Sequence, residues 1–225
     1  WGTGGMVDWT NAEGAAYWHD TNRQPLIDIG IFGHWTDLGE PEIFAPNSWY
    51  AGPPGLELHA QLPHHNIYNL LWAESIVAGY QRNEVSQRPV ILSRSGTSGI
   101  QRTGAAMWSA DIGSNFDSLT THMNAQMHLS LSGIDYFGSD IGGFHRGAIS
   151  DEELDELYTV WFANSALLDV PVRPHTENLC NCKETAPDRV GDLDSNLANI
   201  RLRYALSPYY YSLAHLAYQT GAPVV

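Results

Sequence analysis

Short apolar runs that do not alternate with polar residues recur along this chain, and each closes on polar or charged side chains. They are IGIFGHW (29–35), PVILSR (89–94), GIDYFGS (133–139) and DVPVRP (169–174), with the terminal APVV (222–225) a candidate fifth. A strand with one wet face alternates with period two, whereas a continuous apolar run suits a strand covered on both faces. Helical patterns separate the runs, and strand followed by helix, repeated, predicts a parallel sheet.

The helices are read from caps and periodicity. Thr10 and Glu13 form a T-x-x-E capping box ahead of a helix through about Asn22. A second helix begins near Asn66, where Ile67, Leu70, Leu71, Ser75, Ile76 and Tyr80 recur at helical spacing, and a third spans roughly Asp117 to Leu131. Ser150 and Glu153 cap a fourth, with Leu154, Leu157, Tyr158, Trp161 and Phe162 as its apolar stripe. A last helical stretch runs from about Leu193 to Tyr218, with Pro208 a candidate break.

The apolar runs finish as HWTD, LSRS, FGSD and VRPH, so polar groups gather at C-terminal strand ends. In a (β/α)8 barrel that end is the rim on which active sites are built, each βα loop supplying a group or two. An open doubly wound sheet would instead concentrate function at one switch point, with a glycine-rich phosphate loop after its first strand. Groups spread over successive strand ends favour the barrel. The runs amount to about half of a closed barrel of eight strands, and their spacing leaves no room for the rest. Residues 1–225 therefore read as one partial catalytic domain, an α/β TIM-barrel slice of about strands 4 to 8. Strands at both ends of such a slice would be unpaired edges. The isolated chain is accordingly expected to fold poorly and to be inactive.

Composition excludes several function classes. The chain has 225 residues, 43% of them hydrophobic and 16% charged, which is globular rather than disordered. A core of that size needs neither disulfide nor metal. Acidic residues outnumber basic ones 25 to 11, the net charge is −14, and Lys183 is the only lysine. Nucleic acid and anionic membranes need clustered Lys and Arg, so neither is an expected partner. The acidic excess reads first as a solvated surface. No apolar run reaches the roughly 18 residues of a spanning helix. The opening WGTGGMVDWT lacks the basic and apolar regions of a signal peptide, so a soluble chain is expected and its compartment stays open. Cys180 and Cys182 are too close for an easy disulfide and too few for a structural zinc site.

Two acidic motifs share one design. In WTDLGEPE, Asp37 follows Trp35 at a strand end; in MWSADIG, Asp111 follows Trp108 within a loop. Glycosidic bond cleavage needs two carboxyl groups, one protonated to release the leaving oxygen and one ionised to attack or to activate water. Tryptophan offers an apolar platform for the C–H face of a sugar. A single Asp beside a Trp is usually a turn residue next to a packed aromatic, and it is the pairing of two such motifs that raises the sugar reading. Arg94, Asp140, Arg173 and His175 stand at strand ends with groups able to hydrogen-bond hydroxyls, although each alone would more often be structural. The stretch GSDIGG lacks the ending and spacing of a phosphate loop and reads as a tight turn. The histidines show no H-E-x-x-H or H-x-H pattern, which disfavours a catalytic metal. No G-x-S-x-G elbow supports a serine nucleophile.

On these residues the sequence resembles glycoside hydrolase family 31, the retaining α-glucosidase and α-xylosidase group. The blocks run in the family's order: WTDLGEPE, HNIYNLLWAESI, RPVILSRSGTSGIQR, MWSADIGSNF, GIDYFGSDIGGF, VPVRPHT and RLRYALSPYYYSLAHLAYQTGAPV. The resemblance implies that Asp37 is the nucleophile and Asp111 the general acid and then base. It implies that Arg94, Asp140 and His175 bind hydroxyls of the sugar, that Trp35, Trp108 and Phe144 form aromatic walls, and that neither cofactor nor metal is used. The implied substrate is an α-linked oligosaccharide, with hydrolysis the leading expectation. Transglycosylation by the same mechanism and a non-catalytic carbohydrate-binding chain are the alternatives. Leu38-Gly39 replaces the family's frequent Met-Asn, Ala110 stands where Gly usually precedes the acid/base, and the ENLCNCKETAPDRVG segment after His175 departs from typical members. Family members also carry earlier barrel strands and flanking β domains, which would be this chain's missing partners.

Overall fold

A computed structural model describes residues 5–42, 49–50, 59–60, 65–176 and 185–225. Cys180, Cys182, Lys183 and the rest of the 177–184 segment lie outside the described residues. The chain divides into two compact units, Trp1–Ala105 and Ala106–Val225.

In the first unit, α1 (Ala12–Trp18) continues through a π turn (His19–Arg23) into α2 (Gln24–Asp28). The cap differs from the expected one. Asn11 is the N-cap, its side chain accepting from the Glu13 and Gly14 amides, because Asp8 already binds the Thr10 amide and hydroxyl at 2.9 and 2.6 Å. Strand β1 (Gly33–Thr36) is shorter than the run that predicts it. Two two-residue strands, β2 (Trp49–Tyr50) and β3 (His59–Ala60), pair antiparallel and had no sequence signal. A 3-10 turn (His65–Ile67) opens α3 (Tyr68–Arg82), and β4 (Val90–Ser93) then pairs parallel with β1, Trp35 opposite Leu92 and Thr36 opposite Ser93. Strand–helix–strand with parallel pairing is the expected crossover unit. Its aromatic core centres on Trp9, stacked on Trp72 with ring centroids 5.4 Å apart and flanked by Tyr50 and Tyr68.

The second unit opens on β5 (Ala106–Trp108), which pairs parallel with β6 (Phe137–Gly138) across α4 (Phe116–Leu131). The sequence reading had MWSAD as loop; a strand of three residues is too short to show periodicity. Helix α5 (Asp151–Leu168) carries the predicted capping box complete, Ser150 and Glu153 each binding the other's backbone. Its stripe, Leu154, Leu157, Tyr158, Trp161 and Phe162, forms the core with Leu119, Ile141 and Val190. The predicted strand at 169–174 reduces to one parallel bridge between Asp140 and Arg173, since Pro171 and Pro174 have no amide to donate. The terminal APVV is not a strand. Helices α6 (Leu193–Ala205) and α7 (Ser207–Thr220) break at Leu206, and Pro208 sits in the first turn of α7, where its missing N–H costs nothing.

Candidate functional site

The first unit presents Asp37 on the residue directly after β1. Arg94, the residue after β4, reaches it from the neighbouring parallel strand, with Nη1 3.8 Å from Asp37 Oδ1. The Arg94 side chain is 7% exposed and its guanidinium is forked on Glu40: Nε donates to Oε1 at 2.8 Å and Nη2 to Oε2 at 3.1 Å, while Nη2 also donates to Glu42 at 2.8 Å. These carboxylates, Glu40 foremost, keep Arg94 more firmly protonated than an ordinary arginine. Trp35 on β1 is half exposed. Its neighbour His34 is structural: its ring meets the Tyr80 hydroxyl at 2.8 Å, and burial, followed by Arg23 and His19, pushes its pKa down to about 4. A pocket of about 320 Å³ beside the loop is lined by Glu40, His65, Asn66, Ser95, Gly96 and Thr97.

Close packing fixes this loop. Asn69 donates to the Ser95 carbonyl and hydroxyl, both at 3.0 Å. A Cβ on Gly39 would lie 2.5 Å from the Asn69 side-chain amide, so any larger residue there would require Asn69 to shift.

The second unit holds Trp108, Asp111, Asp140, Phe144 and His175. Asp111 lies three residues beyond β5 and is exposed. Its loop is tied to the next one, the Ile112 carbonyl accepting from the Phe144 amide at 2.8 Å and the His145 amide at 3.1 Å. The predicted tight turn is present: the Gly143 amide donates to the Asp140 carbonyl at 2.9 Å, and Gly143 (φ +84°) abuts the Gly113 backbone so closely that a Cβ would clash. Asp140 is fully buried, with Oδ1 accepting from Arg173 Nε at 2.8 Å and Oδ2 without a partner among the described residues. Burial raises its pKa, and the Arg173 charge and hydrogen bond oppose the rise. Arg173 also lies over the buried Trp108 ring, 4.6 Å from its centroid. Phe144 and His175 rings stand 5.5 Å apart. Of these groups Phe144, Arg173 and His175 are partly exposed, whereas Trp108 and Asp140 are covered.

Sequence reading did not single out Glu40. Its signal was the D-x-x-E spacing beside an arginine at the adjacent strand end. Among the described residues no group of His, Cys, Asp and Glu could hold a metal ion, and no helix is long and apolar enough to cross a membrane.

Both acidic loops carry left-handed backbone at a non-glycine residue, Leu38 (φ 58°) directly after Asp37 and Ala110 (φ 59°) directly before Asp111. A side chain costs about 1–2 kcal/mol there, and such strain concentrates at functional sites. Ala110→Gly is expected to raise unfolding stability by about 0.5–1 kcal/mol after glycine's greater chain entropy is subtracted. Denaturant unfolding measures it; a loss of stability would contradict the strain.

Parallel strands joined through helices, with acidic and basic side chains after their C-terminal ends, define an α/β chain of the TIM-barrel class. The family model for the glycosyl hydrolases family 31 TIM-barrel domain matches residues 1–213, and the chain belongs to that family. It is 31% identical to alpha-glucosidase 2 of Bacillus thermoamyloliquefaciens over all of this chain and 28% of that protein. It is 32% identical to an alpha-xylosidase of Saccharolobus solfataricus over 89% of this chain and 27% of that one. A dextranase of this family from Flavobacterium johnsoniae, solved with isomaltotriose, superposes with a TM-score of 0.80 and 27% identity, covering 99% of this chain and 28% of that one. The chain thus spans under a third of the length of these relatives.

Proposed function

We propose that this chain is the partial catalytic domain, residues 1–225, of a retaining α-glycosidase acting on α-linked oligosaccharides, with α-glucosides the leading substrates. One observation carries the reading: the family's acidic motifs fall directly after parallel strands, Asp37 following β1 and Asp111 following β5.

In this mechanism an Asp37 oxygen attacks the anomeric carbon while Asp111 gives its proton to the departing glycosidic oxygen, leaving a β-glycosyl ester on Asp37. Asp111, now ionised, takes a proton from water as the water oxygen attacks the same carbon, and Asp37 leaves as carboxylate. Asp140 is suited to accept from a sugar hydroxyl through the Oδ2 that Arg173 leaves open. Arg94 and His175 are assigned to sugar hydroxyls as well, and Trp35, Trp108 and Phe144 to the walls of the sugar site. The remaining barrel strands and β domains are assigned to the rest of the full-length protein.

The assignment of Asp111 is tested in the full-length protein. Asp111→Ala is expected to lower kcat/KM by about 10²–10⁴-fold for substrates with poor leaving groups and to spare it for those with good ones, whose kcat still falls because the attacking water has lost its base. Added azide should restore turnover of activated substrates and yield an α-glycosyl azide. Equal loss on both substrate types would count against the role.

A further inference from the structure

We infer that Glu40 is a positioning residue for the nucleophile, holding Arg94 so that one guanidinium nitrogen faces Asp37 and offsetting the charge that Asp37 meets. The inference rests on the assignment of Asp37 above.

A guanidinium paired through two nitrogens to both oxygens of a carboxylate is held coplanar with it, so its orientation is fixed as well as its position. Glu40 takes the Nε–Nη2 edge of Arg94 in that way. The opposite nitrogen, Nη1, is thereby the one directed to Asp37, 3.8 Å away. Glu42 adds a single bond, at 2.8 Å, from a side chain that is 50% exposed against 30% for Glu40. Glu40 therefore supplies the geometry and Glu42 a supplement.

The electrostatic consequence has two sides. An arginine beside the nucleophile favours its ionised form, but a full positive charge at that distance also holds the electron pair that must attack carbon. Glu40 and Glu42 moderate that charge without moving it. Among the described residues, the charged or titratable groups facing the Asp37 loop include Arg94 from the end of β4, Glu40 and Glu42 from the loop itself, and His65 from the turn before α3. His65 meets the Pro41 carbonyl at 3.3 Å.

The sign of the pH effect follows. Removing the Glu40 charge strengthens the pull of Arg94 and lifts a like-charge repulsion, and both favour ionised Asp37. In the full-length protein, Glu40→Gln is expected to move the acidic limb of the kcat/KM profile about one pH unit lower. It should also lower kcat about 10–100-fold, with KM changing far less, because the nucleophile is less well aimed. Glu40→Asp keeps the charge but shortens the reach, so it should lower kcat and leave the limb in place. Glu42→Gln should shift both quantities less than Glu40→Gln. Trapping with a 2-deoxy-2-fluoro glycosyl reagent is run alongside, with the labelled peptide mapped. Label on Asp37 with an unmoved limb in Glu40→Gln, or a moved limb in Glu40→Asp, overturns the role of Glu40 alone. Label on another residue overturns the assignment beneath it.

Discussion

Replacing Asp37 by alanine in the full-length protein is expected to lower kcat on an α-glucoside about 10⁵-fold, equivalent to about 7 kcal/mol of lost transition-state stabilisation. The size follows from what is removed. Covalent catalysis divides one difficult displacement into two easier ones, and without the carboxylate neither half-reaction has its nucleophile. The substitution also leaves room for a small anion beneath the anomeric carbon. Azide, given an α-glucosyl fluoride, should then attack from the face opposite the leaving group and produce the β-glycosyl azide. That product is the mirror of the outcome for Asp111→Ala, where the ester still forms and azide displaces it with net retention. Product configuration by NMR thus separates the two carboxylates even if both variants lose activity equally. A variant at Asp37 retaining more than a tenth of wild-type kcat, or an α-configured azide from it, would sink the assignment.

What was readable in the sequence divides by the range of the interaction that fixes it. The Ser150–Glu153 box and the stripe from Leu154 to Phe162 lie within one helix, so spacing alone revealed them. Asp37 and Asp111 stand out locally as candidates because each follows a tryptophan within three residues, Asp37 at the close of an apolar run and Asp111 in what reads as a loop. Strand β5 was not: it exists because Met107 donates to Tyr136 and Ser109 to Gly138, at 2.8 and 3.1 Å, and those acceptors belong to another part of the chain. The DVPVRP run looked like a strand by hydropathy, yet its prolines leave it a single bridge. The first cap was misassigned by one residue because Thr10 and Asn11 are both good capping residues, and only the position of Asp8 decides between them. Glu40 and Arg94 are 54 residues apart, and nothing local announces that they meet.

Asp169 shows the same limit, and its replacement should have the largest effect on stability. It sits one residue past α5, where hydropathy marks only a strand start, and it is fully buried. Its carboxylate accepts from every neighbour within reach: Oδ1 from His122 Nε2 at 2.9 Å and Gln126 Nε2 at 2.8 Å, Oδ2 from the Ser139 amide and hydroxyl, both at 3.2 Å. Ser139 Oγ in turn accepts from Trp161 Nε1 at 2.8 Å. A carboxylate can only accept, so His122 must carry its proton on Nε2 here. The network ties α4, α5 and the end of β6 together immediately before Asp140. Asp169→Ala would leave several buried donors unpaired and open a small void, and is expected to cost about 3–5 kcal/mol. Asp169→Asn keeps the volume and the Oδ1 acceptor but turns an amide N–H toward the Ser139 amide, so about 1–3 kcal/mol is expected. Denaturant unfolding of the full-length protein, followed by the fluorescence of Trp161 and its neighbours, measures both. Because the loss lies in the support of β6, amide exchange should rise first at Ser139 and Asp140. A cost below about 1 kcal/mol for Asp169→Ala would mean that water replaces the carboxylate, and that Asp140 owes its position to Arg173 alone.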